Sequence, residues 1–287
     1  MLIHPLNHSP YSVIRSIKRN TFTGKIKIMP SHFISIDGLG KYILYFAVLF
    51  SFTNTEAQED QIHSLALTPY NLDYVSSYKG MDIATNRKLT KTLNVFTLTA
   101  TSKNMFAKLS EEAIFKVDTN GGIIGIKHES SKNILGTKKK ELLSYDTHMG
   151  IAKYESKKKK REFALELGHL DGLTYQLKLQ SDLIKLARKK DQLTTQKTSS
   201  LHYPLITKGR QKVYHFKILG EEVLETLLGK ITTLKIKKLY KNDKRETLLW
   251  FAPKWNFALV QLWQKEENGD DYRISIEKGT VNGINLK

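Results

Sequence analysis

Short stretches of alternating apolar and polar residues dominate this chain from residue 70 onwards, and turn-forming residues separate them. In the first stretch, Tyr70, Leu72 and Tyr74 alternate with polar neighbours, a period of two that is typical of a half-buried strand. Farther along, Asn120-Gly121 separates two apolar stretches, which is the strongest local signal for a β-hairpin. The pattern therefore indicates strands that pair in antiparallel fashion with their neighbours along the chain.

Apolar stretches separated by turn-forming residues also occur in the last third of the sequence. The stretches are 213–219, 231–240, 247–251, 257–264 and 272–277. Many short strands joined by short polar turns favour an antiparallel sheet over a parallel α/β arrangement. We therefore predict a mainly β protein whose antiparallel sheet curls into a partly closed barrel, with residues 58–287 as one domain.

One segment has the period of a helix instead of a strand. An apolar stripe at helical spacing begins at Leu173 and ends at Ala187, and Asp171 is placed to cap the first turn. This predicts one amphipathic helix over about 171–190 that covers a mouth or face of the sheet. The stretch 257–264 is apolar on both faces and needs such cover.

An uncharged apolar stretch near the start indicates export. Residues 42–52 number 11, whereas crossing a bilayer needs about 20 apolar residues. The Thr-Glu-Ala sequence at 55–57 supplies the small residues that a signal peptidase reads. We therefore predict a signal peptide that is cleaved before Gln58, and a periplasmic location for the product.

The leader, residues 1–57, is longer than a signal peptide normally requires, since 40 residues precede Lys41. Either translation starts at Met29, or the chain has an unusually long basic leader. A third interpretation is that the apolar stretch is not cleaved and is buried as a strand or helix.

The charge of the chain favours an anionic partner. There are 46 Lys and Arg against 28 Asp and Glu, a net charge of +18, and there is no cysteine. Three basic runs concentrate this charge at 138–140, 157–161 and 188–190. They are interpreted as solvated turns or as contacts with an anionic membrane surface. Nucleic acid is the less favoured alternative, because stacking aromatic residues are absent beside the runs.

No reaction motif is present in the sequence, and its nine histidines lack metal-ligand spacing. We therefore expect a non-catalytic binding protein without cofactor or metal, whose partner is a hydrophobic or lipid-like ligand or an envelope protein. The alternative is an envelope hydrolase with Glu222, His215 or Asp171 as acid/base groups. That alternative requires such groups to converge in one pocket.

Aromatic residues are the candidates for ligand binding. The three tryptophans, Trp250, Trp255 and Trp263, fall within 14 residues, and we add Tyr74 of the first strand. Indole rings bury a large apolar area and keep one polar N–H group, so such a cluster forms a ligand platform, a membrane contact or part of the core.

Three stretches, 170–183, 213–229 and 250–263, resemble the bacterial envelope family catalogued as domain of unknown function 3108. The resemblance covers residues 66–278, although Leu227 stands where the family commonly has Pro. Members of the family typically carry a signal peptide. The resemblance implies an exported antiparallel β-structure without established activity or catalytic residues. The matching motif residues are Gly220, Glu222, Leu224, Thr226 and Gly229 in one segment, and Trp250, Ala252 and Pro253 in another.

Overall fold

The computed structural model describes residues 67–78, 81–188, 200–241 and 244–287. The leader, the possible start at Met29 and the cleavage before Gln58 lie outside the described residues, so they stay predictions.

The described residues form fifteen β-strands and one α-helix. The strands are β1 (Tyr70–Tyr78), β2 (Met81–Thr92), β3 (Val95–Lys103), β4 (Ala107–Val117), β5 (Ile123–Ile134), β6 (Thr137–Asp146), β7 (Ile151–Ser156), β8 (Lys159–Ala164), β9 (Ser200–Thr207), β10 (Arg210–Thr226), β11 (Gly229–Leu239), β12 (Glu246–Ala252), β13 (Ala258–Lys265), β14 (Asp271–Val281) and β15 (Ile284–Asn285). The helix, α1, spans Thr174–Arg188, and a 3-10 helix spans Pro253–Trp255.

All the strands belong to one antiparallel sheet. Its order from edge to edge is β8, β7, β6, β5, β4, β3, β2, β1, β14, β13, β12, β11, β10, β9, and β15 pairs with β14. The first long strand therefore lies beside the last one, with Tyr70 opposite Val281. The two edge strands, β8 and β9, do not pair with each other, so the sheet is curled but not closed. The predicted mainly β, antiparallel fold with one helix is confirmed.

The two edges of the sheet meet along a line that we call the seam. Leu170, which follows β8, forms a parallel bridge to Leu205 of β9. The backbone N–H of Leu170 donates to the carbonyl of Pro204 at 3.0 Å, and the N–H of Ile206 donates to the carbonyl of Leu170 at 2.9 Å. A short piece of chain outside the strands thus covers the unpaired edge of β9, which limits its availability for pairing with other chains.

Side chains fill the rest of the seam. They form a small apolar cluster of Leu143, Ala152, Tyr154 and Ile206. Beside this cluster, Nη1 of Arg161 in β8 donates to the carbonyl of Gly209, in the turn after β9, at 3.4 Å. Packing and one side-chain hydrogen bond therefore join the edges where the backbone does not.

The helix begins at Thr174, three residues after the predicted start, and Asp171 caps it as the sequence predicts. Oδ1 of Asp171 accepts hydrogen bonds from the backbone N–H groups of Leu173 and Thr174, and the hydroxyl of Thr174 accepts one from the N–H of Asp171. This reciprocal arrangement satisfies backbone donors that a helix start leaves without partners. Most of the helix is buried, and Nε2 of Gln180 donates to the carbonyl of Asn256 at 2.8 Å. The helix thus packs against the turn that precedes β13.

The strand β13 is buried on both faces, as its sequence predicts. Every residue from Ala258 to Leu262 is buried, and Leu259 and Val260 have no exposed surface at all. These side chains belong to one large core that also includes the apolar residues of α1.

Candidate functional site

The structure gives the three tryptophans separate surroundings. Nε1–H of Trp250 donates to Oε2 of Glu222 at 3.0 Å, whereas Nε1–H of Trp263 donates to Oδ2 of Asp271 at 2.6 Å. Trp250 and Trp263 share one face of the sheet, because Trp263 lies opposite Leu248 and Leu248 is two residues from Trp250. The indoles of Trp250 and Trp263 therefore already use their polar atoms within the fold.

The two remaining aromatic candidates lie elsewhere. Trp255 belongs to the 3-10 helix, with Nζ of Lys254 4.4 Å from the centre of its ring. Tyr74 is buried, and its hydroxyl donates to the carbonyl of Leu259 at 3.2 Å. The four aromatic residues do not form one described platform, and their role in ligand binding stays a prediction.

The motif residues between 220 and 229 build a long hairpin from β10 and β11. Gly220 has a φ of 121° and lies at a bulge in the pairing, a conformation that glycine adopts without strain. At the tip, the hydroxyl of Thr226 donates to the carbonyl of Gly229 at 2.9 Å and accepts from the N–H of Leu228 at 3.1 Å. These motif residues therefore have structural roles in shaping the hairpin.

Glu222 joins this hairpin to the second motif. Its Oε2 lies 2.8 Å from Nζ of Lys235 and accepts the indole N–H of Trp250. The hydrogen bond from Lys235 lowers the pKa of the Glu222 carboxyl most, and the hydrogen bond from the indole of Trp250 lowers it further. Two residues after Trp250, Ala252 leads into the 3-10 helix that starts with Pro253. Glu222 thus links β10 to the two strands β11 and β12.

The acid/base groups of the hydrolase alternative are dispersed. Glu222 is held by Lys235 and Trp250, Asp171 caps α1, and His215 is an exposed residue of β10. They do not converge in one described pocket, which removes the sequence basis of that alternative.

The structure instead brings together a polar cluster that the sequence analysis missed. Residues that are directly paired across strands share a face. One inward-facing row contains Arg87, Ala100, Glu111, Ser130 and Glu141 in successive strands. Glu111 occupies a position in β4 that should be apolar by alternation, since its neighbours on the same face are buried apolar residues. The signal in the sequence was therefore a charged residue at a position where the alternation of the strand requires an apolar one.

His128 lies on the same face, one row away from Glu111. Its Nε2 is 3.5 Å from Oε1 of Glu111, and the two side chains are only 13% and 6% exposed. Burial alone would lower the pKa of His128, but Asp171, Glu111 and Glu141 together outweigh it and raise this pKa to about 9. The imidazole is therefore a buried cation at neutral pH.

A small cavity adjoins this cluster at the seam. Its volume is about 20 Å³, and its lining includes Glu111, His128, Glu141, Tyr154 and Lys208. A volume of this size accommodates about one water molecule and excludes an acyl chain.

Arg87 is the innermost charge of the cluster. It has no exposed surface, and its Nε donates to the hydroxyl of Tyr70 at 2.7 Å. Burial lowers the pKa of Arg87, while Tyr70 and, to a smaller extent, Tyr74 and Glu111 oppose that shift. The sheet therefore carries charged groups on its buried face along β2, β4, β5 and β6.

Two of the three basic runs meet at one end of the sheet. Lys140 and Lys157 both line a surface depression of about 290 Å³. Glu141 of β6 lies opposite Ser156 of β7, so the lysine that precedes Glu141 and the one that follows Ser156 lie at the same end of the two strands. We call this surface the basic end. Its exposed cations are Lys138, Lys139, Lys140, Lys157, Lys158, Lys159, Lys160 and Arg161. Carboxylates offset part of this charge, since Glu129 pairs with Lys140 and Glu155 with Lys160. The third run is described only at Arg188, the last residue of α1.

Within the described part of the chain, no helix has the length and hydropathy needed to span a membrane. Over the same residues, no group of three or more histidine and carboxylate side chains has the geometry of a metal site.

Comparisons with known proteins place the chain in a family. The family model described as "Protein of unknown function (DUF3108)" matches residues 73–277. Among curated proteins, no sequence gives a significant match. The crystal structure of a "putative lipoprotein" from Parabacteroides distasonis is similar at 9% sequence identity and a TM-score of 0.29, and the match covers 78% of this chain and 100% of that one.

Proposed function

Because the chain belongs to the DUF3108 family, whose function is unknown, we propose a function from its own sequence and surface. The protein is a non-catalytic binding protein of the bacterial envelope, exported to the periplasm, that contacts an anionic membrane surface through its basic end. Export is inferred from the apolar stretch 42–52 and the cleavage sequence that follows it.

The convergence of two basic runs carries this proposal. The runs 138–140 and 157–161 are separate in sequence, yet both line one depression on the surface. Basic residues near an anionic membrane contribute about 1 kcal/mol each to binding. A cluster of eight exposed cations partly offset by carboxylates is therefore sufficient for reversible attachment without an inserted segment.

The described interior argues for a partner on the outside. The cavity at the polar cluster holds about one water molecule, and the helix and β13 are packed into one core. The dispersion of Glu222, His215 and Asp171 supports a non-catalytic role.

Sedimentation with lipid vesicles tests the proposal. The purified protein is mixed with vesicles of phosphatidylcholine alone or with added phosphatidylglycerol, at low and high salt. We expect binding that requires the anionic lipid and weakens as salt screens the charges. Replacing Lys157, Lys158 and Lys159 with Gln should weaken binding by about tenfold or more.

A matched variant tests whether binding depends on the position of the lysines or only on the net charge of the protein. Lys265, Arg273 and Lys278 are exposed on β13 and β14, and their replacement by Gln removes the same charge far from the basic runs in the sheet order. We expect this variant to bind vesicles nearly as well as the unmodified protein. Equal losses in both variants, or absence of binding to anionic vesicles, would overturn the proposal. Binding to duplex DNA at salt concentrations that abolish vesicle binding would favour the nucleic-acid alternative.

A further inference from the structure

We propose that Met105, Phe106 and Leu135 insert into the bilayer surface when the basic end binds an anionic membrane. This inference rests on the proposed function and adds apolar side chains to the contact that the lysines make. Met105 and Phe106 lie in the connection between β3 and β4, and Leu135 lies in the turn between β5 and β6. We call the three residues the turn patch.

The side chains of the turn patch are exposed at one place on the surface. Met105 is 89% exposed, Phe106 49% and Leu135 59%. The two connections adjoin, because the backbone N–H of Leu135 donates to the carbonyl of Phe106 at 3.0 Å. Single exposed apolar residues are common on proteins, whereas a contiguous group is typical of an interaction site. The turn patch is such a group.

Hydrogen bonds fix the connection between β3 and β4. Oδ1 of Asn104 accepts the backbone N–H groups of Phe106 and Ala107 at 2.9 and 2.7 Å. The backbone N–H of Asn104 donates to the carbonyl of Ala107 at 2.9 Å. An asparagine that bonds its own backbone in this way stabilises a tight turn. The exposure of Met105 and Phe106 is therefore a property of the fold.

Leu135 is an unfavourable residue for its own turn. Leu135 and Gly136 alone connect β5 to β6, and their φ values are 47° and 80°. A two-residue hairpin turn in which both φ values are positive prefers Asn-Gly, and leucine is uncommon in the left-handed region. The side chain also buries little of its surface in the fold. Contact with a partner outside the chain therefore explains the leucine better than the geometry of the turn does.

Exposed lysines lie beside the turn patch. Lys103 of β3 lies opposite Lys108 of β4, and one residue of β5 separates Lys108 from Lys138 of β6 in the same row. Residues paired in this way share a face, and all three lysines are exposed. The segments 103–109 and 132–140 contain no Asp or Glu. An anionic surface can therefore approach the turn patch without meeting a carboxylate of these segments.

The turn patch lies at the same end of the sheet as the basic end. The strands from β3 to β8 are neighbours in sequence order and pair in antiparallel fashion. The connections after β3, β5 and β7 therefore lie at one end. The connection after β7 contains Lys157 and Lys158, which belong to the basic end. One surface thus combines apolar turns with lysine-rich ones.

This combination favours a bilayer as the partner. At the interface of an anionic membrane, apolar side chains enter the boundary between headgroups and acyl chains, while cations stay among the phosphates. Exposed apolar residues at the opposite end of the sheet have different neighbours. Met149 and Leu167 are exposed there, but Asp146 and Glu166 lie in the same connections. Carboxylates so close would be repelled by an anionic bilayer.

A fluorescent label tests insertion directly. The chain has no cysteine, so Met105→Cys provides one site for a dye whose emission depends on polarity. The control is Leu93→Cys, since Leu93 is also 89% exposed and precedes β3, whereas Met105 follows it. With phosphatidylglycerol vesicles we expect a blue shift at position 105 that lipids brominated in the acyl chain quench. The label at position 93 should not respond.

Substitutions measure what the turn patch contributes to binding. Phe106→Ser combined with Leu135→Asn should weaken sedimentation with phosphatidylglycerol vesicles by about tenfold, because apolar area no longer enters the bilayer. Leu135→Asn alone should keep or raise the melting temperature, since asparagine tolerates a positive φ, so weaker binding is not a result of unfolding. Leu93→Asn is the matched control, because Leu93 is a turn residue with a φ of 54°. It should bind vesicles as the unmodified protein does.

The outcomes separate this inference from the proposed function. A silent label at position 105, together with salt-sensitive binding to anionic vesicles, would overturn insertion and leave the proposed function standing. An equal response with vesicles of phosphatidylcholine alone would support insertion of the turn patch and overturn the role of the basic end. Self-association that Phe106→Ser abolishes, with a silent label on vesicles, would assign the turn patch to a second copy of the chain and overturn the inference.

Discussion

The strands β12 and β13 differ sharply from β6, β7 and β8, although all belong to one sheet. In β12 and β13 most side chains are buried, and five consecutive residues from Ala258 to Leu262 have almost no exposure. In β6 and β8 most side chains are exposed or half-buried. We call β9–β14 with α1 the apolar half, and β4–β8 the polar half.

The difference follows from what covers each half. The helix packs against the turn before β13, and Tyr175 of α1 stacks on Phe216 of β10. In the polar half the buried face carries Glu111 and His128, and the seam contributes a small apolar cluster. We therefore expect side chains of β12 and β13 to contribute more to stability than those of β6–β8, whose exposed positions carry the charges.

The largest expected effect is the loss of a core side chain in the apolar half. Phe251 in β12 has no exposed surface, so Phe251→Ala should lower the free energy of unfolding by about 3–5 kcal/mol. Phe163 in β8 is half-buried in the polar half, so Phe163→Ala should cost about 1 kcal/mol. Urea unfolding monitored by circular dichroism measures both values. Similar losses in the two variants would mean that the halves do not differ in their contribution to stability.

The next effect is a pH dependence that belongs to the polar half. The folded pKa of His128, about 9, lies above the unfolded value of about 6.5, so its stabilisation is fully present below pH 6.5. It is lost as the pH rises through 9 and amounts to about 3 kcal/mol. The groups that face this imidazole are Glu111, Glu141 and Asp171.

Comparison with His128→Gln isolates this contribution. The difference in unfolding free energy between the two proteins should shrink between pH 6.5 and 9, as urea unfolding over that range would show. NMR titration of His128 provides the direct value of its pKa. A normal pKa near 6.5, or a difference that is constant with pH, would show that the carboxylates do not act on this residue as the structure indicates.

The smallest expected effect is a gain in stability, in contrast to the two losses above. Because the folded pKa of Lys132 is lowered to about 8, its charge destabilises the fold below that pH, and the penalty disappears as the pH rises toward the unfolded value of about 10.4. Lys132→Gln should therefore raise the free energy of unfolding at pH 7 by up to about 1 kcal/mol, since solvent screens part of the repulsion. Differential scanning calorimetry would detect the higher melting temperature. A lower melting temperature would show that Lys132 stabilises the fold and would contradict this expectation.

The sequence predicts the apolar half better than the polar half, for a physical reason. The two-faced stretch 257–264 and the Asp171 cap each depend on local patterns, and the structure contains both. The strands β6 and β8 contain the basic runs, whose lysines hide the alternation of a strand and favour a solvated turn. Their pairing with β5 and β7 is a property of the whole sheet.

The candidate sites depend on non-local structure in the same way. The tryptophans are close in sequence, but the 3-10 helix at Pro253–Trp255 separates Trp255 from the two that lie on strands. Glu111 and His128 are close in space because β4 pairs with β5 in one particular register. The cavity beside His128 is lined from β5 and β9, so it needs the two edges of the sheet to meet, which no local pattern specifies.

The pairing of β1 with β14 has a consequence for the order of folding. The hydroxyl of Tyr74 reaches the carbonyl of Leu259, 185 residues away in sequence. A chain that emerges from a translocation channel with its N-terminal end first would expose β1 long before its partner arrives. Contacts of such sequence separation slow folding and leave unpaired strands at risk of aggregation. The central strand of the finished sheet therefore stays unpaired on one side until β14, the last long strand, has been made.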